Sequence, residues 1–148
     1  MDGINLGKAV LGGVVAGLVI NICQTIVHVF LFAEQSTALT EAMGLAEPAG
    51  GQIGMFWVLG FVIGLVMIFM YAGFRPRCGP GVNTALAAGT VTFILGELVP
   101  TLFYTASGAF SMSDYWPFLL STLVILMVSS VAGAALYTED DAGGAEAQ

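Results

Sequence analysis

The stretch from Ala9 to Ala33, AVLGGVVAGLVINICQTIVHVFLFA, contains no Lys, Arg, Asp or Glu and is long enough to cross a lipid bilayer. A helix rises 1.5 Å per residue, so about 20 residues span the roughly 30 Å of hydrocarbon. Three further stretches are similarly free of charge, at 48–74, 78–96 and 115–138, and the third continues apolar beyond Glu97. We therefore predict four transmembrane helices, at approximately 9–32, 53–74, 82–105 and 115–137.

The predicted fold class is all-α: an integral membrane four-helix bundle that forms one domain over residues 1–138. The chain is 57% hydrophobic and only 9% charged, with a mean hydropathy of +0.93, which excludes an ordinary soluble domain. Residues 139–148 are acidic and glycine-containing, so we predict a disordered tail. The net charge of −7 leaves no basic patch, which argues against nucleic acid as a partner.

The three basic residues predict the orientation. Lys8 precedes the first helix, and Arg75 and Arg77 lie between the second and third helices, on the same side of the membrane. By the positive-inside rule, both termini are cytoplasmic and the protein resides in the cell (inner or plasma) membrane. The two arginines, beside a helix N-terminus, also suit the phosphate of a lipid headgroup. Trp57, Tyr115 and Trp116 would then form an aromatic belt at the outer interface.

The connections carry weaker local signals. In the loop 34–51, a helical spacing of apolar residues allows a short surface helix, although an ordinary acidic loop fits equally well; the residues concerned are Leu39, Ala42, Met43 and Ala46. The prolines and glycines of 75–81 predict a tight turn that ends the second helix. Asn83 or Thr84 is predicted to cap the third helix, and Asp114 the fourth.

The first helix carries small and polar residues along one face, at positions separated by 4, 4, 3, 1 and 3 residues: Gly13, Gly17, Asn21, Gln24, Thr25 and His28. The glycines allow another backbone to approach closely, and Gly60 and Gly64 in the second helix offer a further close-contact surface. The polar groups would be costly against lipid tails, so this face is expected to meet protein or water.

Glu97 is the only carboxylate inside an apolar stretch, and His28 is the only histidine. From the helical rise, Glu97 and Gln24 each lie about 22 Å from the inner membrane edge, with His28 about one turn higher. If the polar face of the first helix meets the third, Glu97 reaches Gln24, Thr25 or His28. Tyr104, on the same face as Glu97, adds a hydroxyl. Pro100 is expected to disturb the third helix beside the carboxylate.

Three interpretations of this polar cluster remain open. It holds helices in register, or Glu97 and His28 act as a proton or cation relay, or His28 is a haem ligand or quinone contact. No cofactor, metal site or catalytic residue set is predicted, and Cys23 and Cys78 are expected to be unpaired thiols. We favour a non-enzymatic structural or accessory subunit, partnered by lipid and by its own copies or other membrane subunits. The alternative is a small proton- or cation-coupled transporter or channel.

Residues 16–28 also align with residues 88–100, which suggests a parallel repeat of two helix hairpins. The turn Arg75-Pro-Arg-Cys-Gly-Pro-Gly81 resembles a segment of small, uncharacterised four-helix bacterial membrane proteins. The resemblance implies an architecture and no activity.

Overall fold

In a computed structural model of the chain, every regular element of the described residues is a helix. The structure describes residues 4–44, 46, 49–109 and 111–138, without the side chains of Leu39 and Ala42, and the predicted tail lies outside these residues. The helices are α1 (Leu6–Leu31), α2 (Ala33–Ala42), α3 (Gly50–Cys78), α4 (Val82–Ala106) and α5 (Met112–Ala134). All except the short α2 are long and apolar enough to cross a membrane, as the sequence predicts.

The four long helices pack so that α1 lies chiefly against α3 and α5, and α4 lies chiefly against α5 and α3. The contact between α1 and α3 is made by glycines. A Cβ atom on Gly64 would fall 2.5 Å from the Gly13 carbonyl oxygen and 2.7 Å from the Gly17 Cα, and one on Gly60 would overlap the side chain of Asn21. The two glycine pairs predicted as separate contact surfaces therefore pack against each other.

Further small residues join α5 to its neighbours. A Cβ on Gly12 would lie 2.5 Å from the Gly133 carbonyl oxygen, so α1 and α5 also touch backbone to backbone. Three residues earlier in α5, the buried Ser130 hydroxyl donates to the carbonyl oxygen of Ala85 in α4. These contacts surround a fully buried core that includes Met67. The part of the bundle around Gly12, Met67, Ala85, Ser130 and Gly133 is closely packed, and we call it the packed half.

The start of α1, the end of α5 and the α3–α4 turn lie together at one end of the packed half. The Asn5 N–H donates to the Tyr137 hydroxyl at 3.3 Å, and the Tyr71 and Tyr137 rings meet edge to face at 5.9 Å. The Arg75 guanidinium lies 5.2 Å from the centre of the Tyr137 ring, a cation–π contact. We call this the arginine end.

The α3–α4 turn differs from its prediction. α3 continues through Pro76 to Cys78, because a proline in the last turn of a helix removes only one hydrogen bond. The helix stops at Gly79, whose positive φ of 79° suits a residue without a Cβ. Gly81 occupies the cap position of α4, so neither predicted residue caps it, and Thr84 donates to the Gly79 carbonyl oxygen at 2.7 Å instead.

Two other connections are settled by the structure. The loop after α1 contains the short helix α2, which begins earlier than the apolar spacing at 39–46 suggested. α5 begins at Met112, with Ser111 in the cap position, so Asp114 lies in the first turn and is not the cap. A carboxylate in the first turn of a helix is favourable through the helix dipole.

α1 and α4 each contain one π-helical turn, at Val27–Leu31 and Ile94–Leu98. Such turns accommodate an extra residue within a helix and are frequent at functional sites. The first contains His28 and the second contains Glu97. The second turn ends two residues before Pro100, where the sequence predicted a disturbance of the helix. The proposed repeat does not superimpose the two π turns, since it pairs Val27 with Val99.

Candidate functional site

The predicted polar face of α1 divides between two neighbouring helices. The Asn21 side chain is 5% exposed, and its Nδ2 donates to the backbone carbonyl oxygen of Trp57 in α3 at 2.9 Å. One turn further along, Gln24 Nε2 donates to the Thr122 hydroxyl of α5 at 3.4 Å. The other amide atom of Gln24, Oε1, is buried and has no hydrogen-bond partner among the described residues. Asn21 therefore ties α1 to α3, whereas Gln24 ties it to α5.

Thr25 and His28 make more local contacts. The Thr25 hydroxyl donates to the carbonyl oxygen of Asn21 in its own helix at 2.7 Å, so Thr25 is satisfied without a neighbouring helix. His28 Nδ1 lies 3.2 Å from the Ser36 hydroxyl of α2, and its ring centre lies 4.9 Å from that of Phe118 in α5. His28 is exposed, although it lies inside a candidate membrane span.

Glu97 is hydrogen-bonded to α5. The Tyr115 hydroxyl donates to Glu97 Oε1 at 3.2 Å, and both side chains are partly buried. The sequence had placed Tyr115 only in an aromatic belt, so its contact with the carboxylate was missed. A signal was present: Tyr115, Phe118 and Thr122 recur at spacings of three and four, which places them on one face of a helix.

This face of α5 lies between the two titratable groups. Phe118 contacts the His28 ring, and the Phe118 and Tyr115 ring centres are 5.0 Å apart. Tyr115 in turn holds Glu97. His28 and Glu97 thus reach α5 within one turn of each other. The expected contact of Glu97 with Gln24 or His28 is replaced by these aromatic residues, because α1 and α4 both pack chiefly on α5 and α3. We call residues 115, 118 and 122 the α5 strip.

The remaining predicted residues make other contacts. Tyr104 is 55% exposed, and its ring packs edge-on against Phe103 at 6.2 Å. Arg75 is half-buried on Tyr137 at the arginine end, and Arg77 is exposed there. Cys23 and Cys78 are free thiols, as expected. Within the described part of the chain, no three His, Cys, Asp or Glu side chains are grouped to hold a metal ion.

Comparisons with known proteins add no function to this picture. No protein-family model, no curated protein and no solved structure matches the chain. A functional assignment therefore rests on the packing of the four long helices and on the residues around the α5 strip.

Proposed function

We propose that the protein is a non-enzymatic membrane subunit whose role is to associate with further transmembrane helices, either in copies of itself or in other subunits. One observation carries this proposal. In α3, every residue from Gly50 to Leu59 is exposed, on all sides of the helix, whereas burial begins at Gly60. We call 50–59 the free half of α3. Within one copy of the protein, this segment is more exposed than the rest of α3, and its link to α1 is the hydrogen bond from Asn21 to the Trp57 carbonyl oxygen.

The polar residues of the bundle support a structural role. Asn21, Gln24 and Glu97 each have a hydrogen bond to a neighbouring helix. Interhelical hydrogen bonds of this kind contribute about 0.6 kcal/mol each in membrane proteins. Side chains engaged in this way act as links between helices, and together with the glycine contacts they give a stable unit from which the free half of α3 extends.

We also propose that this unit lies in the cell membrane with the arginine end in the cytoplasm. Lys8, near the start of α1, is at the same end of the bundle as Arg75 and Arg77. A grouping of all three basic residues at one end is what the positive-inside rule requires. Lipid surrounds the exposed apolar side chains of the bundle, except where another helix replaces it.

Native mass spectrometry of the protein, extracted gently from its own membranes, tests the association. We expect a fixed homo-oligomer or retained foreign subunits. Gly54→Leu, in the free half of α3, should reduce the association. Gly73→Leu is the matched control: it lies in the same helix, and a Cβ at either position meets nothing within 4 Å. A lone chain carrying only lipid, or equal effects of the two substitutions, would contradict the proposal.

A second candidate function is a proton or cation relay, and one observation favours it. His28 and Glu97 each lie in a π-helical turn and reach the same strip of α5. Both groups bind and release protons, and an ionisable residue within a membrane span is often functional. In this case Glu97→Gln would abolish proton flux in proteoliposomes without changing assembly. Unchanged flux in that variant, or no flux in the wild type, would exclude the relay.

A further inference from the structure

The Glu97 carboxyl group lies far from every basic side chain of the described residues. All of the Lys and Arg side chains are at the arginine end, whereas Glu97 lies about 22 Å along α4 from Val82, the first residue of that helix. A charged group within a membrane span is costly unless it is paired. The carboxyl group is therefore either protonated or accompanied by a cation, and the groups around it determine which cation it suits.

Glu97 shares its face of α4 with two threonine hydroxyls. Thr101 and Thr105 follow it at intervals of four residues, which places the three side chains on one face of the helix. Thr101 is 4% exposed, its hydroxyl has no hydrogen bond among the described residues, and Thr105 Oγ1 is buried without a partner there. The hydroxyl of Thr92, earlier in the same helix, instead donates to the Ala88 carbonyl oxygen. Buried hydroxyls without a hydrogen bond are costly, so this face suits a ligand that binds oxygen atoms.

The distance between Glu97 and Tyr115 is compatible with a shared cation. The Tyr115 hydroxyl oxygen lies 3.2 Å from Glu97 Oε1. Two oxygens that bind one cation at about 2.4 Å and at right angles lie about 3.4 Å apart. The same turn of α4 also has an irregular backbone, because the α-helical donor to the Gly96 carbonyl would be the N–H that Pro100 lacks. Carbonyl oxygens in irregular turns of membrane helices bind Na⁺ and H⁺ in transporters.

We propose that Glu97, Tyr115 and Thr101 bind one Na⁺ ion at the π-helical turn of α4. Carboxylate and hydroxyl oxygens are ligands that hard cations prefer, and one carboxylate matches a single positive charge, whereas Ca²⁺ sites usually gather several. Thr105 continues the row of hydroxyls toward the end of α4 that lies away from the arginine end, about 14 Å from Glu97, so the ion enters from that side. The site rests on the relay candidate for its role, and it names the ion.

Binding of radioactive ²²Na⁺ to the protein in lipid nanodiscs tests the proposal. Bound ²²Na⁺ is counted by scintillation proximity at mildly alkaline pH, where competition from H⁺ is weak, and choline chloride keeps the ionic strength constant. We expect saturable binding of one Na⁺ per chain, which unlabelled Na⁺ displaces and choline does not. Absence of saturable binding would overturn the proposal.

Substitutions locate the ion. Glu97→Gln should abolish binding, because it keeps an acceptor for Tyr115 and loses the charge. Thr101→Val should weaken binding roughly tenfold, the equivalent of about 1.4 kcal/mol, because a methyl group of similar size replaces one ligand. Thr92→Val is the matched control in the same helix, since the Thr92 hydroxyl is bonded to the Ala88 carbonyl oxygen, and it should bind like the wild type. Equal affinity of the two valine variants, or binding that survives Glu97→Gln, would contradict the assignment.

Thermal unfolding gives a second measurement. A ligand that binds only the folded protein stabilises it, so Na⁺ should raise the unfolding midpoint of the wild type above its value in choline chloride and leave that of Glu97→Gln unchanged. An equal shift in both proteins would overturn the site.

Proton flux in proteoliposomes separates this site from the relay. Flux that depends on Glu97 without Na⁺ binding would leave a proton relay and overturn only the Na⁺ site. Na⁺ binding without flux would support the site and exclude the relay. The subunit proposal is independent of both results, since native mass spectrometry tests it on the free half of α3.

Discussion

The glycine contact between α1 and α3 allows a quantitative prediction for Gly64→Ala. The new Cβ would lie 2.5 Å from the Gly13 carbonyl oxygen and 2.7 Å from the Gly17 Cα, whereas ordinary contact begins at 3.4 Å. These backbone atoms cannot rotate away as a flexible side chain would. The nearest atom is the Gly17 nitrogen, so the two helices must separate by roughly 0.7–1.0 Å at this point.

This separation has two costs. A gap of that size forfeits a quarter to a half of the dispersion energy of the atom pairs it separates, and overpacked sites typically lose about 1–3 kcal/mol. The hydrogen bond from Asn21 to the Trp57 carbonyl, now 2.9 Å long, would stretch beyond hydrogen-bonding distance, which adds roughly 0.6 kcal/mol. We expect Gly64→Ala to reduce the free energy of unfolding by about 2–3 kcal/mol.

The assay is reversible unfolding in bicelles, with the denaturation midpoint followed by circular dichroism. Gly73→Ala is the control, because it makes the same chemical change in the same helix and its Cβ meets nothing within 4 Å. It should leave the midpoint unchanged or raise it slightly, since alanine is the better helix former. If Gly64→Ala and Gly73→Ala shift the midpoint equally, the close packing of α1 on α3 is refuted.

Two other predictions follow from single hydrogen bonds, and a third follows from the exposure of Cys78. Tyr115→Phe and Glu97→Leu should each reduce the free energy of unfolding by about 0.6 kcal/mol, because each removes one partner of the same hydrogen bond. Glu97→Gln keeps an acceptor and should unfold like the wild type. Ser130→Ala should cost about 1 kcal/mol in the same unfolding assay, because it removes the buried hydrogen bond to Ala85; no loss would mean that this link is absent. Cys78 is exposed at the arginine end, so a membrane-impermeant maleimide should label it in inside-out vesicles and not in intact cells, and the reverse pattern would contradict the proposed orientation.

The sequence predicts the long helices well, because length and hydropathy alone determine whether a segment can cross a bilayer. It also places glycines correctly on close-contact faces. It does not reveal which faces meet, since Gly13 and Gly64 belong to different helices and small residues pack against many partners. Gly12 had no distinguishing pattern at all, and yet it touches the backbone of α5.

The candidate site was predicted in part. The helical rise predicts that His28 and Glu97 lie about one turn apart, and the two residues contact Phe118 and Tyr115, which are three residues apart on α5. Their partners depend on the arrangement of helices around the bundle, which hydropathy does not encode. Tyr115 and Phe118 were therefore missed as the residues between them. Pro100 predicted a disturbance near the second π-helical turn, whereas nothing in the sequence pointed to the first.

The glycine contacts also have a consequence for the order in which the protein assembles during synthesis. α1 and α3 are made first, and their backbone contact at Gly13, Gly17 and Gly64 needs no residue of a later helix. The pair α1 and α3 can therefore pack together while α4 and α5 are still being synthesised, at about 5–20 residues per second. Gly12 lies beside Ile68 of α3, and its backbone contact with Gly133 forms only once α5 has been made. The contact between α1 and α5 is therefore made after the contact between α1 and α3.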